Sequence, residues 1–258
     1  MPYRLGLKER QIHQHAPHWS ALRRFGTVIV PPPTKYWSAK LPLPYGMMLN
    51  DRLGDCVCAC IYHNRQVLTF NAQGKEDTEP DAEVLATYEG ACGYAPSEPE
   101  SDVGCNIQNT LEWWMSAGIP LSNGMRDKLV AFIQVDHANP NDIHQAIYEC
   151  GSVIIGLNVP QYVLPADGSA PPSGWTLQPN ADNTIIGGHC VNVTGYDTGY
   201  VLMSWGGRYW MGPGFWNKFV TECWAIVDLA WVAATGKTPL GLSVAQLEAI
   251  MNSWKALH

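Results

Sequence analysis

The run Gly54-Asp55-Cys56-Val57-Cys58-Ala59-Cys60 constrains the fold more than any other stretch of the chain. A Gly-Asp turn leads into thiols and apolar residues without a break. Ile61, Val67, Leu68 and Phe70 continue the series at roughly helical spacing, which predicts a buried helix. Asp55 is its expected N-cap, which places Cys56 in the first turn. The positive end of a helix dipole favours a thiolate. The spacing therefore predicts a Cys56 pKa below the free value of about 8.5 and alkylation below pH 7, ahead of Cys58, Cys60 and Cys190. Asn50 lies six residues upstream, in a loop that can fold its side-chain NH2 back beside the sulfur. Its expected role is to hold an oxyanion. His63 shares a helix face with Cys56 but lies about 10 Å further along the axis at 1.5 Å per residue, too far to act as its base.

The proton partner has to come from downstream. Gly187-Gly188-His189-Cys190-Val191-Asn192-Val193-Thr194-Gly195-Tyr196-Asp197 reads as a strand entered from a diglycine, and Tyr200-Val201-Leu202-Met203-Ser204-Trp205-Gly206-Gly207 follows a short turn. With these three stretches the chain resembles the papain-like cysteine peptidases. Their pattern is Gln, five residues, a Cys opening a helix, later His-Ala-Val…Gly-Tyr, then Asn-Ser-Trp-Gly. Asn50, Gly54, Cys56, His189, Gly195, Tyr196, Ser204, Trp205 and Gly206 fall on it in order, from about Trp37 to Trp224.

The resemblance implies an α+β fold in which a helical lobe carrying Cys56 faces an antiparallel β lobe carrying His189 across a cleft. It implies acyl transfer by a Cys56–His189 dyad, with Asn50 and the Cys56 N–H as oxyanion donors and Trp205 shielding the imidazole. Two positions depart from the pattern. Asn50 replaces Gln and is one methylene shorter. Met203 stands where the His-orienting Asn belongs, and a thioether cannot orient an imidazole N–H. Strand alternation puts Ser204 on the face opposite Met203, which makes it a poor substitute unless the strand bulges. The expected function is a papain-like peptidase or amidase acting on a peptide or protein in the cleft. The alternative is a papain-like scaffold with lost chemistry, serving as a structural or binding protein. The motif order is similar to peptidase-like proteins of bacterial and phage genomes, where a virion role is conceivable.

Composition narrows the remaining classes. With 46% hydrophobic and 15% charged residues, the 258-residue chain suits a well-buried globular protein. A net charge of −7 argues against nucleic acid or an anionic membrane as partner. Neither an apolar leader nor a run approaching the ~20 residues of a membrane helix is present, so a cytoplasmic or virion-associated protein is expected. The Cys56, Cys58, Cys60 alternation is not zinc spacing and no Cys-x-x-Cys occurs, so neither metal nor cofactor is expected. Cys58 and Cys60 read as small core residues, whereas Cys92 and Cys105 flank a Pro-rich loop and would pair on oxidation.

In chain order, residues 1–40 read as an extended arm holding His13, His15 and His18, solvated in character, before Pro31-Pro32-Pro33. Residues 41–230 read as the papain-like domain, divided into a helical lobe (41–125) and a β lobe (126–230). Residues 231–258 read as a C-terminal helical extension packed on it. Helices are expected at 81–88, 109–117 and 141–150, with strands at 129–135 and 152–159. The 211–224 stretch has strand or turn character. The last helix, within 240–258, opens on a Ser243/Gln246 capping box. The long loop 160–186 precedes His189 and walls the cleft, with Tyr162 and Trp175 either as groove aromatics or as anchors to the core. The arm and the final helix are the surfaces on which a protein partner or a second copy would dock.

Overall fold

A computed structural model of the chain describes residues 3–10 and 16–256; His13 and His15 lie outside the described residues. Its first half is helical. A single turn, α1 (Trp19–Leu22), and a short strand, β1 (Lys35–Tyr36), precede the long helix α2 (Cys56–Gln73). Nearly every face of α2 is buried, as an apolar run of that length requires, and Gly74 closes it in the left-handed conformation. Next come α3 (Asp81–Cys92) and α4 (Ile107–Ala117). The Asn106 side chain accepts from the Asn109 N–H, so α4 starts two residues before the expected position. The Cys92–Cys105 disulfide joins the end of α3 to the approach to α4, with Cα atoms 5.4 Å apart.

The second half builds the sheet. A hairpin of β2 (Ile119–Pro120) and β3 (Arg126–Asp127) leads to β4 (Leu129–Gln134), α5 (Pro140–Cys150) and β5 (Val153–Pro160). Helix α5 has the expected punctuation: Asn139 caps it, Pro140 takes the first position and Gly151 ends it. After β6 (Gly174–Trp175) come the long β7 (Ile185–Tyr196), β8 (Tyr200–Ser204) and β9 (Gly207–Met211). The 211–224 stretch is corrected here: Gly212-Pro213 opens a helix, α6 (Pro213–Phe219), which buries Phe215, Trp216 and Phe219 before β10 (Val220–Asp228). Pro-Gly pairs read as turns, but Pro at a first helical position is equally compatible. The chain closes with α7 (Leu229–Thr235) and α8 (Val244–Lys255). The Ser243/Gln246 capping box opens α8, whose Trp254 packs edge-on against Phe132 of β4.

The main sheet runs β4-β10-β5-β7-β8-β9-β6 and is antiparallel apart from β6 against β9, with β1 added to the end of β7. The fold is therefore α+β. Strand β7 pairs His189 with Leu157 of β5 and Asn192 with Met203 of β8. Helix α2 lies across β7, and this packing brings the start of the helix to the strand carrying His189. Within the arm, Trp19 is fully buried and its indole N–H donates to Gln145 of α5, whereas Phe25 and Val30 are exposed. Among the described residues, no helix is long and apolar enough to cross a membrane.

Candidate active site

Cys56 is the first residue of α2 and is completely buried. Asp55 holds the cap position, yet its side chain caps nothing. Its carboxyl is buried, accepts the Asn50 amide at 3.2 Å, and has a second oxygen without a partner. Burial pushes its pKa well above the usual carboxylate range. The other Asn50 amide proton goes to the Leu53 carbonyl at 3.1 Å. Both protons are thus engaged here, one within the loop of Asn50 and one by Asp55.

His189 is held on two sides. Its Nε2 lies 2.7 Å from Ser204 Oγ, and its ring stacks on Trp205 at 4.1 Å between centroids and 13° between planes. Trp205 reaches this position from a left-handed backbone (φ 44°) in the turn that joins β8 to β9. Nδ1 has no hydrogen-bond partner. Strand alternation holds as the sequence implied, but the partner of His189 is Ser204. Met203 points the other way into a separate apolar cluster with Leu41, Tyr45 and Val67, so its position in the motif has no bearing on the imidazole. Trp175 is fully buried and packs beside Trp205 at 5.9 Å between centroids, its N–H donating to Pro172. Tyr162 packs on Phe215 and Phe219 and donates to the Thr176 carbonyl. Of the two readings of this loop, anchoring to the core is the one these contacts describe.

Sequence reasoning missed the occupant of the cleft, which is the chain's own segment 3–8. Arg4 N–H bonds to the Asn50 carbonyl, Leu7 N–H to Gly188, and Lys8 N–H to Cys105, whose own N–H bonds to the Gly6 carbonyl at 2.8 Å. Tyr3 stands edge-on to Trp205, and the Trp205 indole N–H reaches the Arg4 carbonyl. At the centre, the backbone N–H groups of Gly6 and Cys190 face the Cys56 sulfur. Only glycine fits there, because a Cβ on residue 6 would overlap the Gly54 carbonyl, and one on Gly104 would overlap the Gly6 carbonyl. The strand presents an N–H to the Cys56 sulfur and directs the Gly6 carbonyl to Cys105. Past Lys8 a cavity of about 460 Å³ continues along Glu9, Arg10, Asn158, Thr221 and Glu222.

Occlusion sets the electrostatics. Burial pushes the Cys56 thiol well above its ordinary value and lowers His189 from 6.5 to about 3. Both groups are therefore neutral across the physiological range, contrary to the thiolate expected from the helix terminus. A dipole worth about 0.3–1 kcal/mol does not offset full desolvation.

No protein-family model and no curated protein sequence matches the chain. Its structure is similar to xylellain, a cysteine protease from Xylella fastidiosa, at a TM-score of 0.63 and 13% identity over 88% of this chain and 96% of that one. It is also similar to procathepsin B S9 from Trypanosoma congolense (TM-score 0.58, 10% identity, 87% and 86% covered). A third likeness is to the Carica candamarcensis cysteine protease CMS1MS2 in complex with E-64 (TM-score 0.53, 14% identity, 76% and 99% covered). The chain has the papain-like cysteine protease fold.

Proposed function

We propose that this protein is a cysteine peptidase or amidase whose nucleophile is Cys56 and whose proton partner is His189, kept closed by residues 3–10. The reading is carried by the clamp on His189. Ser204 fixes Nε2 and Trp205 covers the ring face, which leaves Nδ1 as the basic atom available to a thiol proton. In the open site, Nδ1 takes the Cys56 proton, the sulfur attacks the acyl carbon, and the imidazolium returns the proton to the departing amine. Water then cleaves the thioester with His189 as base. The Cys56 backbone N–H, at the positive end of α2, is the oxyanion donor in place; Asn50 joins it only by releasing Asp55.

A peptide substrate is favoured by how the arm is held. Both walls of the cleft, at Gly188 and at Cys105, pair with extended main chain. The rival reading, a scaffold with lost chemistry, draws on the neutral dyad and the engaged Asn50. E-64 separates the two. In a chain opened by Gly6→Val, the epoxide should form one adduct, mapped to Cys56 and absent in Cys56→Ala. Iodoacetamide labelling of Cys56 without any E-64 adduct would favour the scaffold.

A further inference from the structure

Helix α2 places a second thiol near sulfur atoms from two other elements. Cys58 Sγ lies 4.0 Å from Cys92 Sγ at the end of α3 and 3.9 Å from Cys105 Sγ before α4. Cys58 and Cys105 are buried, and Cys92 is partly so. Equal distances to both sulfurs put Cys58 beside the Cys92–Cys105 bond. A thiol poised for exchange would instead lie in line with that bond, near one sulfur and far from the other. The geometry matches a different chemistry. With metal–sulfur bonds of about 2.3 Å, ligand sulfurs stand about 3.8 Å apart in a tetrahedral site and about 4.0 Å apart in a trigonal one. Two of the three edges already have that length, and the third reaches it once the disulfide opens.

We propose that, in the reduced chain, Cys58, Cys92 and Cys105 form a three-sulfur site for a thiophilic divalent cation of the zinc class. A dithiol supplies two electrons and two protons to the Cys92–Cys105 bond and leaves as its own disulfide. The cation then displaces three thiol protons and forms three metal–sulfur bonds, for a net charge of −1 at the positive end of α2. Thr110 Oγ1, 3.8 Å from Cys92 Sγ, or a water takes a fourth position. The buried Asp55 carboxyl opposes the charge, and its protonation relieves this. Disulfide and metal are thus alternative clasps on one loop. Cys105 also hydrogen-bonds the arm at Gly6 and Lys8, so the metal form ties that cleft wall to the helix of the nucleophile.

The test uses the full chain carrying Cys56→Ala, so that the dyad thiol does not compete for the ion. The protein is reduced with a small dithiol, freed of it by anaerobic gel filtration, and titrated with Zn2+ against a chromophoric chelator. A parallel Cd2+ titration reads sulfur-to-metal absorbance. One equivalent should bind the reduced chain and none the unreduced chain, with Cys58→Ser weakening binding by about 10²-fold or more. If the reduced chain loses structure, Zn2+ should restore its circular dichroism; failure to restore it overturns the proposal. So does the absence of stoichiometric uptake, or equal affinity in the parent, Cys58→Ser and Cys105→Ser chains.

Discussion

A Gly6→Val chain is expected to alkylate Cys56 with iodoacetamide at pH 7 about 10²-fold faster than the parent, because the strand over the sulfur no longer fits. Any Cβ at residue 6 overlaps the Gly54 carbonyl, and relief within the closed cleft breaks bonds on either side: Leu7 to Gly188 and the Gly6 carbonyl to Cys105 on the arm, or the Gly54 N–H to Asp102. Expelling the arm returns water to Cys56 and His189 and removes the desolvation that keeps both neutral. The body should stay folded, since the buried clusters draw on α2–α8 and the sheet far more than on residues 3–10. Peptide mapping of the alkylated chain and a thermal melt check both parts. Equal labelling of parent and variant would mean that the arm does not guard the thiol.

Met203→Asn is expected to destabilise the protein by about 2–4 kcal/mol without raising Cys56 reactivity. Met203 is fully buried with Leu41, Tyr45 and Val67, so an Asn there removes packed apolar volume and buries an amide in place of a thioether. For a chain of this length the melting temperature should fall by roughly 5–15 °C. Ser204→Ala should do the opposite: little change in stability, but about a tenfold loss of Cys56 reactivity in the Gly6→Val background, because the 2.7 Å contact on His189 Nε2 is gone. A gain of reactivity in Met203→Asn would return the orienting role to residue 203.

What the sequence disclosed and what it hid follow a physical division. Local signals were legible. The start of α2 at Cys56, the end of α5 at Gly151 and the Ser243/Gln246 box all rest on groups a few residues apart, and all are present, although the Asp55 side chain does not cap α2. The motif order also carried the strand that bears His189 and the turn that bears Trp205. Relations set by the tertiary fold were not legible. Which of Met203 and Ser204 faces the imidazole depends on how β8 is seated against β7, and position in a motif does not encode that. Asn50 looked free because its competitor, Asp55, appeared to be a cap. The close approach of Gly6, Gly54 and Gly104 unites three distant segments, each of which reads alone as an ordinary turn or arm. The same is true of Cys58, Cys92 and Cys105, whose spacing gave no sign of a cluster.

The dyad itself is tested most directly by the pH dependence of Cys56 alkylation in the Gly6→Val chain, with and without His189→Ala. In the closed parent, burial raises the thiol well above its ordinary value and lowers the imidazole to about 3, so both stay neutral near pH 7. Opening restores solvent to both. On the proposed pairing, the imidazole then accepts a proton as pH falls through its ordinary value near 6.5, and the imidazolium holds the thiol ionised at the same pH. The account predicts a substantial rate persisting below pH 7 in the Gly6→Val chain. Adding His189→Ala should remove that low-pH reactivity and leave a single rise near pH 8.5. A profile that already rises tenfold per pH unit up to about 8.5 in the Gly6→Val chain, and does not change with His189→Ala, would contradict it.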